Sequence, residues 1–95
     1  MTKVSDSISY YKDLFRKEIL PEIMKVVSGE KEEVSSHLHF PIYSMSQVLE
    51  KEGFEILNFE SNGYQYDHSS DIQYKDQLYV LSGSGYYGAT RFYKK

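Results

Sequence analysis

Cysteine is absent from the 95 residues, which excludes disulfides, thiol nucleophiles and cysteine-ligated zinc and favours a reducing compartment over a small secreted scaffold. Tryptophan is absent too, and proline occurs only twice, at Pro21 and Pro41, so only there does a ring interrupt the backbone ladder. No apolar run approaches the roughly 18 residues of a membrane-crossing helix. The opening MTKVSDSISYYKD has no apolar stretch of the kind a signal peptide carries. These absences lead to the expectation of a cytoplasmic protein with no membrane contact. No internal repeat, low-complexity tract or linker divides the chain, and a length of this order organises one core, so a single α+β domain over 1–95 is expected.

Hydrophobic residues make up 40% and charged residues 26% of the chain, enough apolar surface for it to fold. The net charge of −3 conceals a gradient. Glu50, Glu52, Glu55, Glu60, Asp67, Asp71 and Asp76 are offset in their stretch only by Lys51 and Lys75; beyond Asp76 come Arg91, Lys94 and Lys95 with no acid. Overall acidity works against indiscriminate nucleic-acid binding, which depends on Lys and Arg, while the basic C-terminal stretch keeps that function in play. The acids read first as a solvated face and second as a surface for a basic partner. Tyrosine dominates the aromatics, with ten Tyr against five Phe. Tyr64, Tyr66, Tyr74, Tyr79, Tyr86, Tyr87 and Tyr93 gather late in the chain, which makes that region the place where contact with a partner is expected.

Ser5 or Ser7 can cap a helix whose apolar residues Ile8, Tyr11, Phe15, Ile19, Ile23 and Val26 recur at helical spacing. Pro21 must kink that helix or begin a second one, and Gly29 suits its C-terminal end. His37-Leu38-His39-Phe40 alternates and reads as a short extended segment that Pro41 confines to an edge or an end. SMSQVLEKEG has the form of a short helix: Ser44 and Gln47 have capping-box spacing, Met45, Val48 and Leu49 form a stripe, and Gly53 stops it. From Phe54 the period drops to two. FEILNFE is a strand, Asn62-Gly63 a hairpin signal and YQYDH the return; Ser69, Ser70 and Asp71 read as a polar turn, and Lys75-Asp76 as a tight turn between IQY and QLYVLS, before YYGATRFY. The expected fold class is α+β: a kinked N-terminal helix and a short second helix packed on an antiparallel meander sheet of about four strands.

The strands are apolar on both sides, with Phe54 and Ile56 against Leu57 and Phe59, Leu78 and Val80 against Tyr79 and Leu81, and Tyr86 and Phe92 against Tyr87 and Tyr93. A half-buried strand alternates instead. Two apolar faces need two covers, so one face is left for the short helix, for the 30–43 segment or for another molecule.

Several motifs approach chemistry without reaching it. Gly83, Gly85 and Gly88 spell G-x-G-x-x-G, but a dinucleotide site needs a helix N-terminus directly after the glycines, and ATRFYKK is rich in β-formers. Gly83 and Gly85 read instead as hairpin glycines and Gly88 as a bulge or close approach. His37 and His39 have the spacing of a metal pair on one strand face, with Asp67 or His68 to complete it, but nothing fixes a third ligand. Asp67, His68 and Ser69 are consecutive and so alternate sides, which rules them out as an aligned triad. No catalytic residue, cofactor or metal is therefore assigned.

The expectation that remains is a non-enzymatic interaction module of adaptor or inhibitor type, of a size and composition that fit an accessory protein of a virus or mobile element. It would bind another protein, or a second copy of itself as a homodimer, through Tyr64, Tyr66, Tyr79, Tyr87, Tyr93 and Arg91, because tyrosine and arginine bring large contact area with polar tips. The alternative is a small nucleic-acid-binding protein that stacks bases on Tyr86 and Tyr87 and holds phosphates with Arg91, Lys94 and Lys95.

Overall fold

Pro21 divides the N-terminal helix as its chemistry requires. In the computed structural model, which describes residues 4–38, 40–61, 68–84 and 89–95, helix α1 spans Val4–Glu18 and helix α2 spans Leu20–Val27. Pro21 sits in the first turn of α2, where a missing N–H costs least. The ladder bridges the break: the Ile19 N–H donates to the Phe15 carbonyl at 2.9 Å and the Ile23 N–H to the Ile19 carbonyl at 2.9 Å. Phe15, Ile19, Ile23 and Val26 consequently stay on one face, and all four are buried. Gly29 closes the segment at φ +90°, a conformation that side chains rarely adopt.

Strand β1 (Glu33–Ser36) and helix α3 (Ile42–Lys51) follow. The extended segment expected at His37–Phe40 therefore lies upstream, where the residues pair with another strand; Val34 is its one buried side chain. Helix α3 begins two residues before Ser44, and no side chain caps it. Pro41, at φ −61° and ψ 139°, holds the entry while Ile42 drops into the core. The Ser44 and Gln47 capping box does not form, and Ser44 is instead buried inside the helix with no hydrogen-bond partner for its hydroxyl among the described residues. Gly53, at φ +94°, ends α3 as expected, and the Phe54 N–H returns to the Leu49 carbonyl at 3.0 Å.

The remaining strands are β2 (Glu55–Ser61), β3 (His68–Tyr74), β4 (Gln77–Ser84) and β5 (Ala89–Lys94). All pair antiparallel in the order β1-β5-β4-β3-β2. The described residues thus form an α+β fold of three helices on an open five-stranded sheet, one strand more than the meander legible in the sequence. The polar turn expected at Ser69, Ser70 and Asp71 is continuous strand, because β2 and β4 pair it from both sides and supply the hydrogen bonds that a turn would otherwise make internally. Gly83 likewise sits within β4, opposite His68 and Thr90, rather than in a hairpin turn. The Asn62-Gly63 signal, Gly85 and Gly88 lie outside the described residues.

The buried apolar side chains form one cluster that draws on α1, α2, α3 and the sheet. Phe92 lies near its middle, with Tyr79 stacked on it at 5.1 Å and Phe54 edge-on at 6.4 Å. Among the described residues no helix is long and apolar enough to cross a membrane.

Candidate interaction surface

Alternation sorts the sheet residues into two faces, and the pairing register fixes which belong together. Ile72 and Tyr79 share a row, as do Ser70, Leu81, Phe92 and Val34; these point into the helix-covered core. The opposite face carries a row of Leu57, Asp71, Val80, Tyr93 and Glu33, flanked by Glu55, Gln73 and Leu78 on one side and by Glu60, Ser69, Ser82, Arg91 and Ser35 on the other. All three helices feed the core cluster on the first face. Among the described residues neither α3 nor the 30–43 segment covers the second, since α3 packs on α1 and Glu33–Ser36 becomes an edge strand. Leu57, Val80 and Tyr93 are half-buried, and Leu78 is 37% exposed.

A bulge in β2 shapes this face. The register with β3 shifts between Leu57 and Glu60, and Asn58 takes φ +31°. Asn58 reaches Asp71, its amide Nδ2 donating to Oδ2 at 3.0 Å. Phe59 is turned toward the buried His68, 6.4 Å between ring centroids, so it does not share a side with Leu57 as simple alternation would have it.

The cations on the open face, Arg91 and Lys95, are tied down. Lys95 Nζ donates to both carboxylate oxygens of Asp71 at 3.0 Å. The Asn58 hydrogen bond and then Lys95 hold the Asp71 carboxyl below the usual carboxylate range. Arg91 donates to Glu33 Oε1 at 3.1 Å, which raises its pKa further above neutrality, and its guanidinium lies 5.0 Å from the Tyr93 ring centroid. That arrangement orients the Tyr93 ring beside the apolar row. Glu55 and Glu60 make no ion pair among the described residues.

The tyrosines and cations expected to form one surface divide between two. Tyr93, Arg91 and Lys95 stand on the open face. Tyr79 does not: it is 4% exposed and stacked in the core, and burial, then the neighbouring Tyr74, raises its hydroxyl pKa. Lys94 pairs in register with Tyr79 and lines a groove of about 520 Å³ with Lys31, Glu32 and Gln77, on the helix-covered side. Arg91, Lys94 and Lys95 therefore make no single phosphate-binding row. Tyr64, Tyr66, Tyr86 and Tyr87 lie outside the described residues.

His37 is exposed just past β1, and His39 and Asp67 lie outside the described residues. Among the described residues no group of three or more metal-ligating side chains assembles. Leu57, Leu78 and Val80 belong to strands whose two apolar sides were visible in the sequence, but nothing there showed which side would be left uncovered. Asn58 carried no signal, because its role depends on the bulge. No protein-family model, curated protein or solved structure matches the chain.

Proposed function

We propose that this chain is a non-enzymatic interaction module, acting in the cytoplasm as an adaptor or inhibitor, that binds another protein through the open face of its sheet. The observation that carries the reading is the row of Leu57, Val80 and Tyr93, with Leu78 beside it, on a sheet face that no described helix covers. Apolar side chains interleaved with charge, Asp71 lying between Leu57 and Val80, are the kind of surface on which a protein contact is built. Arg91 and Tyr93, held together, are of the residue types that dominate such contacts. Nucleic acid is less well served, because Lys94 stands on the helix-covered side, apart from Arg91 and Lys95, and the three make no continuous basic row.

The test is affinity capture from a cell lysate with and without nuclease, using the wild-type chain and the double variant Leu57→Thr/Val80→Thr. Threonine keeps the β-branched shape that suits a strand while removing apolar area. A protein retained after nuclease by the wild type and lost by the variant, with thermal unfolding unchanged, is the expected result. Equal capture by both chains would overturn the reading, and recovery of nucleic acid alone would replace it with the alternative.

A further inference from the structure

The outward side chains of β2 and β5 are complementary row by row. In chain order β2 presents Glu55, Leu57 and, after the bulge, Glu60; in the matching rows β5 and the residue after it present Lys95, Tyr93 and Arg91. Acid, apolar, acid thus stands level with base, apolar, base. Two intervening strands separate the backbones of the two sets by about 14 Å at the usual strand spacing, and among the described residues no ion pair joins Glu55 or Glu60 to Arg91 or Lys95.

We propose that the partner seated on this face is a second copy of the same chain, packed sheet to sheet about a twofold axis parallel to the strands and lying between β3 and β4. This rests on the reading that the open sheet face is the interaction surface, and it names the occupant. Rotation about that axis leaves each row at its own level and exchanges left for right. It therefore sets β2 of one copy over β5 of the other: Glu55 meets Lys95, Leu57 meets Tyr93 and Glu60 meets Arg91, each contact occurring twice. A twofold axis in the same plane but across the strands would set β2 over β2 and bring Glu55 and Glu60 against their own kind. Charge thus selects between the two symmetric ways of stacking the sheets.

The in-chain partner of Arg91 does not block its contact: Arg91 keeps 48% of its side-chain surface exposed while paired with Glu33, and a guanidinium has donors to spare. Lys95, bonded to Asp71 two strands away, exchanges that carboxylate for Glu55 of the second copy. Four overlapping strands and three rows of side chains give a footprint on the order of 400 Å² per copy. That lies below the area of permanent complexes and defines a weak, reversible dimer.

Sedimentation equilibrium between about 10 μM and 1 mM, the range that a contact of this size calls for, tests the proposal. The wild type is expected to show a reversible monomer–dimer equilibrium. Glu60→Arg and Arg91→Glu should each weaken it by about tenfold or more, because each puts like charges in both copies of one contact. Mixing the two variants should restore association, since a mixed pair has opposite charges at both. Circular dichroism of each variant reports that it is folded. A wild type that stays monomeric throughout, or variants whose mixture associates no better than each alone, overturns the proposal. If the wild type is monomeric yet Leu57→Thr/Val80→Thr still loses a nuclease-resistant partner, the face binds a different protein: the homodimer fails and the interaction module stands.

Discussion

Tyr79 and Tyr93 stand on neighbouring strands and are the same residue type, yet one is core and the other surface. Tyr79 pairs with Lys94, so Tyr93 must face the other way. Composition could not separate them, because a tyrosine ring suits both settings; only the face occupied by the helices decides. The structure predicts that Tyr79→Ser leaves a cavity against Phe92 and costs about 3–5 kcal/mol, as for other large aromatics truncated in cores. Tyr79→Phe, which keeps the ring, should cost less than about 1.5 kcal/mol. Urea unfolding of the two variants checks this, and similar losses in both would show that the hydroxyl rather than the ring holds the site. Asp71 carries a pH signature. Its folded-state pKa is depressed by Asn58 and Lys95, so its contribution is fully present above the unfolded value of about 3.9 and is lost as the pH falls through the lower folded value. Asp71→Asn should therefore lower the urea midpoint at neutral pH, with the gap to wild type closing on acidification through about pH 4 and below. A gap that stayed constant on acidification would trace the effect to packing instead.

At the scale of elements, legibility followed the length of the periodic signal. Phe15, Ile19, Ile23 and Val26 announce one buried stripe across a kink because their spacing persists over several turns and Pro21 can act in only a few ways. Strand β1 has a single apolar residue, Val34, and no period can be read from one residue; its existence depends on pairing with β5 far along the chain. The polar run at Ser69, Ser70 and Asp71 misleads for a related reason, since turn-type residues take strand geometry when both neighbours offer a ladder. Ser44 was drawn toward a cap by spacing alone, while the apolar Ile42 placed the helix start earlier. Gly53 was legible because a helix end needs a backbone conformation that few residues tolerate. A Cβ there would meet only the Tyr74 ring, at 3.8 Å, which is ordinary contact. Gly53→Ala should thus cost about 1 kcal/mol, entirely from the positive φ. Gly53→Asn should cost less, because Asn visits that region more readily. Equal penalties in urea unfolding would point to the side-chain contact instead.

For the whole molecule, the sequence showed an excess of apolar strand faces over available covers but not where the excess would lie. The side of the sheet on which α3 settles, and the edge that Glu33–Ser36 joins, are set by tertiary packing and leave no local trace. Once both are placed, Leu57, Leu78, Val80 and Tyr93 remain on the uncovered face. Folding and self-association are then linked, because a dimer that forms only from folded chains draws the unfolding equilibrium toward the native state by mass action. At a protein concentration a hundredfold above the dissociation constant, the linkage amounts to about 1.5 kcal/mol per protomer. In a domain of this length that raises the thermal midpoint by roughly 6–12 °C. Scanning calorimetry over a range of wild-type concentrations should show the midpoint climbing, while Glu60→Arg should flatten the dependence without lowering the dilute-limit midpoint. The two results separate what the face contributes to association from what it contributes to the fold. A midpoint independent of concentration would place all of the chain's stability in the core around Phe92 and leave the open face to a partner of another kind.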